Sequence, residues 1–208
     1  MEQETGYVRN SAFSTRSLVT VFALVGVVTL GNLWLHSGGP PVGYARYTGF
    51  GFSIDYSRRM AMWESDLVGS GPPNDSGGVV QWARQDTELE QFGVFWIKPE
   101  GIASSFEKTP AGAIEQIIGF SEMLGTNIGE RGEMRTMTKD SHEVFYQTFT
   151  VEEPGVVIPG MMGAWYCEAS GTYIILYAVH VPDINYPEIL SQEVETIWLG
   201  YLAALACP

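Results

Sequence analysis

The chain has 208 residues, of which 45% are hydrophobic and only 17% charged, a composition that excludes disorder and fits one folded domain plus a tail. Its formal net charge is −13, which repels nucleic acid and anionic headgroups and excludes both as principal partners. Its 2 cysteines are isolated from each other and do not make a metal site.

Residues 1–16 read as a cytoplasmic tail. Residues 17–36, SLVTVFALVGVVTLGNLWLH, carry no charge. A spanning helix needs roughly 20 mostly apolar residues, because about 30 Å of hydrocarbon is crossed at about 1.5 Å per residue. The stretch meets that need, lacks the polar stripe of a core helix, and brings Asn32, Trp34 and His36 to the outer interface. The competing reading is a cleaved signal peptide. Its apolar region is usually about 7–15 residues, shorter than this one, and the small-x-small sequence Gly43-Tyr44-Ala45 lies far downstream, behind Pro40-Pro41. Arg9 and Arg16 precede the stretch and only Arg46 follows within range. The expectation is a single-pass cell-membrane protein, N-terminus cytoplasmic and domain extracytoplasmic. Glu2 and Glu4 offset the two tail arginines, so the domain carries the whole net charge. That acidity is either a solvated surface or an attraction for a basic partner or divalent cations.

Residues 37–43, SGGPPVG, are a linker, since glycine and proline oppose both helix and sheet. The domain, residues 44–208, has its first clear strand at Phe50 to Tyr56, where aromatic and aliphatic residues alternate with Gly51, Ser53 and Asp55. Ser70 to Gly78 is a loop. Val79 to Gln85 and Phe92 to Lys98 are strands joined as a hairpin. Thr109 as N-cap and Pro110 at the first helical position open a helix. It puts Ile114, Ile117, Ile118 and Leu124 on one face and stops at Gly125.

Gly132 to Thr138 is a weak strand, His142 to Val151 a strong one, and Ala164 to Ala169 another. Tyr173 to Val181 is apolar at nearly every position. A strand covered on one face alternates, whereas one covered on both reads as a continuous apolar run. This strand is therefore expected centrally, with helices on both sides of the sheet. A final amphipathic helix begins at Pro187 and runs to Leu205, with Leu190, Val194, Ile197, Trp198, Tyr201, Leu202 and Leu205 at helical spacing. Cys207 just follows the helix expected to pack on the sheet that holds Cys167. A Cys167–Cys207 disulfide is expected, closing a loop worth roughly 4 kcal/mol in the chain-entropy model.

The fold class is thus α/β (α+β): a mostly antiparallel sheet sandwiched between helices, preceded by one transmembrane helix. Three stretches, FGFSIDY in the first strand, TPAGAIEQIIGF in the helix after the hairpin, and the closing amphipathic helix, give the domain a form that resembles the PsbP-like family. That family is named for an accessory protein of the photosynthetic oxygen-evolving complex. The resemblance covers roughly Tyr47 to Leu205. It departs from the family at Ser57, where many members have proline, and in the late position of Trp63. The resemblance implies noncatalytic binding or assembly work beside a larger complex and transfers no catalytic residue.

The chemistry-bearing residues are few. Asp140, Ser141 and His142 are sequence neighbours, and a triad is assembled by the fold rather than by adjacency. His180 and Asp183 at a strand end, with a distant glutamate, suggest a metal site at most, against simple packing of His180. The loop Pro72-Pro73-Asn74-Asp75 has one acid, too few for a calcium loop. No Walker loop, HExxH, CxxC or dinucleotide fingerprint occurs. No catalytic, cofactor-binding or metal-ligating residue is therefore assigned, and no cofactor. Trp82, Trp96, Trp165, Phe145 and Tyr177 fall on predicted strands and serve either the core or an exposed aromatic patch for a partner. Two readings follow. The first is a noncatalytic, membrane-anchored interaction or accessory subunit of a larger envelope complex, with a protein partner. The alternative is a small-ligand or metal-binding extracytoplasmic domain.

Overall fold

The computed structural model describes residues 40–84, 90–180 and 190–207. The membrane segment at 17–36, Asp183 and the start of the last predicted helix at Pro187 lie outside these residues. No helix among the described residues is long and apolar enough to cross a membrane.

Eleven strands and two α-helices follow one another in the described chain, with a 3-10 turn at Pro99–Gly101. They are β1 (Tyr44–Gly49), β2 (Phe52–Ser57), β3 (Met60–Ser65), β4 (Gly77–Arg84), β5 (Glu90–Ile97), α1 (Pro110–Met123), β6 (Ile128–Arg131), β7 (Arg135–Lys139), β8 (His142–Glu153), β9 (Val156–Cys167), β10 (Thr172–His180), α2 (Leu190–Ala204) and β11 (Leu205–Ala206). The main sheet is antiparallel in the order β3-β4-β5-β10-β9-β8-β6, with β7 pairing β8 beside β6. A second, three-stranded sheet has the order β1-β2-β11.

β10 lies between β5 and β9, at the centre where its unbroken apolar sequence put it. Ile174, Leu176 and Ala178 face one core, and Tyr173, Ile175 and Tyr177 face the other. The first core lies under α2 and the small sheet, where Trp198, Leu202, Phe52, Ile54 and Leu205 meet Trp82, Phe92, Trp96 and Trp165. The second lies under α1, whose Ile114, Ile117 and Ile118 meet Phe149, Met162 and Ala164. Helices thus cover both faces, as the apolar run requires, and the small sheet shares one face with α2.

α1 is set by its ends. The Thr109 side chain accepts from Gly112 N at 3.1 Å, satisfying one of the donors a helix start leaves open. At the far end Gly125 has φ +95. Gly125 N donates to Glu122 O at 3.0 Å and Thr126 N to Ser121 O at 2.9 Å, the paired bonds of a Schellman stop. The disulfide joins Cys167 at the end of β9 to Cys207, with Cα atoms 6.1 Å apart and a sequence separation of 40.

Four segments differ from the sequence reading. β1 precedes the first expected strand, at Phe50 to Tyr56, and that strand starts later, at Phe52, because Phe50 and Gly51, with φ 50 and 84, turn the chain between β1 and β2. Two consecutive positive φ values make a tight two-residue hairpin turn, and Phe50 is held there by stacking on Trp96, centroids 4.1 Å apart. β3 was not expected at all. The weak strand at Gly132 to Thr138 is β7, and a further strand, β6, lies just ahead of it; the two pair with different ends of β8. β9 begins at Val156 rather than Ala164. Its Pro159 lies just past Gly160, the last residue paired with β10, so it is held on the β8 side only.

Candidate functional site

The face of the main sheet under α1 is not filled to its end. Cross-strand pairs define one row on this face: Trp63, Gln81, Gly93, Tyr177, Met162 and Gln147. The next row is Ala61, Ala83, Gln91, Val179, Gly160 and Phe149. Side chains of paired residues stand side by side on one face, so a row rich in alanine and glycine leaves a trough. Gly93 gives the Tyr177 ring its place: a Cβ there would stand 2.9 Å from Tyr177 Cζ. Gly160 does the same for Phe149, at 2.7 Å from Cε2.

The result is a cavity of about 370 Å³ beyond the C-terminal half of α1. Phe95, Phe149, Met162, Tyr177 and Val179 line it from the sheet, and Ile118 and Ser121 from α1. Gln81, Glu90, Gln91, Thr126 and Glu153 supply the polar lining, and no lysine, arginine or histidine is among the lining residues. Tyr177 is 8% exposed. Gln91 Nε2 donates to its hydroxyl at 3.0 Å, and burial raises the phenol above the ordinary tyrosine range.

At the sheet edge next to this trough runs β3. Among the described residues it pairs with β4 alone. Met62, Trp63 and Glu64 are exposed in succession, Met62 at 41% and Trp63 at 52%. β3 holds neither lysine nor proline, the residues that usually protect an edge. Its Glu64 accepts from Tyr47 Oη at 2.7 Å.

The aromatic residues singled out by sequence divide. Trp82, Trp96 and Trp165 are buried and belong to the core, the first of the two roles their positions allowed. Trp82 stacks on Phe92, which stacks on Tyr201. Trp96 Nε1 donates to Asn74 O at 2.9 Å, tying down the loop that contains Asp75. Phe145 is half-buried against the α1 core, and Tyr177 lines the cavity. Among the described residues the exposed tryptophan is Trp63, whose strand shows no alternation and gave no sequence signal.

Asp140 and Ser141, with φ 47 and 70, are the turn residues between β7 and β8. Asp140 pairs with Lys139, and His142 begins β8. His180 ends β10, with Nε2 3.6 Å from Glu193 Oε2 of α2 and Nδ1 buried without a hydrogen-bond partner. On the same end of the sheet, Glu90 accepts from Tyr201 and lies 3.9 Å from Arg84 Nη1. Among the described residues, no three His, Cys, Asp or Glu side chains are placed to hold a metal ion.

The architecture has counterparts among solved structures. It is similar to the cyanobacterial PsbP, CyanoP, of Synechocystis sp. PCC 6803, with a TM-score of 0.52 at 11% identity, covering 83% of this chain and 96% of that one. The fold is PsbP-like. A variant of the protein Mog1 superposes with a TM-score of 0.49 at 10% identity over 79% of this chain and 94% of that one. A protein of unknown function from Pseudomonas aeruginosa, described as a putative regulator, does so with a TM-score of 0.40 at 11% identity over 78% and 96%. No protein-family model matches the chain, and none of the curated proteins does.

Proposed function

We propose that the domain is a noncatalytic interaction subunit, held at the cell membrane by residues 17–36, that takes its protein partner on the edge strand β3. The observation that carries this reading is β3 itself. Among the described residues its outer edge has no strand partner, and Met62 and Trp63 are exposed beside it. An extended segment of a partner hydrogen-bonds to such an edge and uses alternate side chains for specificity. A half-exposed tryptophan is the residue type that most often anchors an interface. The occupant is an extended, apolar stretch flanked by basic residues, because the domain carries the whole of the −13 charge. Anchoring favours such a partner at the same membrane by raising its effective concentration. The PsbP-like fold supports the reading as fold-level analogy.

The test is co-purification of the full chain in mild detergent from native membranes. A variant carrying Met62→Glu and Trp63→Glu loses its partner at least tenfold while keeping its disulfide and melting temperature. Retention of the partner by that variant would sink the proposal. So would a measurable turnover abolished by His142→Ala or His180→Ala with partner binding intact.

A further inference from the structure

We infer that the cavity beyond α1 binds a small neutral molecule that has an apolar body and one hydrogen-bond-accepting group, such as a carbonyl. The site is separate from strand addition on β3 and does not depend on it.

Its volume of about 370 Å³ falls in the range of small-molecule pockets, about 300–1,000 Å³. The lining has the composition of such sites, apolar walls with a few placed polar groups. The polar group at its floor is Tyr177. Its side chain is more than nine-tenths buried, and its oxygen is already engaged as an acceptor from Gln91 Nε2. The phenol proton has no acceptor among the described residues, so at the cavity floor it is the donor that a ligand can meet. A buried donor left unmatched costs more than a made hydrogen bond returns. A ligand oxygen reaching Tyr177 Oη removes that cost.

The phenol is protonated at neutral pH even at the ordinary tyrosine value of about 10, and burial moves it further up, so the donor is preserved. Charge sets the rest of the selectivity. Among the described residues no lysine, arginine or histidine lines the cavity, so a carboxylate or phosphate finds no cation there to offset its desolvation. Ala83 lines the cavity, and Gly93 and Gly160 seat the Tyr177 and Phe149 rings that form part of its wall.

Met162 lines the cavity, whereas its neighbour Met161 faces the opposite core. This pair supplies a site-specific readout. The full chain in lipid nanodiscs, with 13C-methyl methionine, is titrated with three probes of one shape: 2-acetylnaphthalene, 2-ethylnaphthalene and 2-naphthoate. The expected result is a saturable shift of the Met162 methyl with the ketone, no movement of Met161, and no saturation with naphthoate. Tyr177→Phe weakens the ketone by roughly tenfold, the size of one hydrogen bond, and leaves 2-ethylnaphthalene unchanged. Ala83→Leu fills the trough and abolishes binding of both, with the Met161 signal unmoved to show an intact fold. The inference is overturned by absence of a saturable Met162 shift, by equal movement of both methyls, by naphthoate binding as tightly as the ketone, or by an unchanged ketone affinity in Tyr177→Phe.

Discussion

Gly163 sits on β9 beneath Trp198 of α2, and the two residues settle how the helix meets the sheet. A methyl at position 163 would stand 3.0 Å from Trp198 Cη2 and 3.1 Å from Phe145 O. Trp198 is fully buried and donates from Nε1 to Leu176 O at 3.1 Å, so it has no room to retreat. Gly163→Ala is expected to cost about 1–3 kcal/mol, as overpacking of a filled core does, read as a lower denaturant midpoint. A neutral effect would mean that α2 shifts freely. Such a glycine cannot be recognised in sequence, because its partner comes from an element far along the chain. The same holds for Gly93 beneath Tyr177, and with it the cavity. The disulfide was legible because both cysteines flank elements whose packing followed from pattern. The faces of Trp82, Trp96 and Trp165 were not, because strands buried on both sides carry no alternation to orient them.

At the scale of elements, local chemistry read well and long-range pairing did not. α1 was legible at both ends because Thr109, Pro110 and Gly125 act on their own neighbours. Thr109→Ala is expected to lower stability by about 1 kcal/mol, while Thr109→Ser leaves it nearly unchanged. Equal loss in both would show that the bond to Gly112 N is not what matters. β1 and β3 were missed because their partners, β2 and β4, give them structure that their own sequences do not advertise. β9 was shortened in the reading because Pro159 and Gly160 look like loop; pairing along β8 carries the strand through them. Trp63 lies on one of these unread strands, which is why the proposed docking edge was invisible before the fold.

For the whole molecule, two cores on either side of one sheet bring several phenols out of water. Burial raises Tyr177 and Tyr201 above the ordinary tyrosine value, and for Tyr201 the bond to Glu90 adds to it. The unfolded chain releases those protons near pH 10, while the folded chain holds them. The folded state therefore binds more protons above that pH, and stability falls as pH rises. Unfolding midpoints are expected to drop steeply above about pH 10, and Tyr201→Phe to flatten the decline. A flat profile in the parent protein would contradict the burial of these groups.

The central claim is that a partner sits on β3, and a photo-crosslinker placed at position 63 in native membranes tests it most directly. Position 122, on the exposed side of α1, serves as the control. The account predicts one discrete adduct from position 63, mapping to an extended apolar segment with basic flanks, and none from position 122. No adduct at position 63, or the same adducts from both positions, would contradict it.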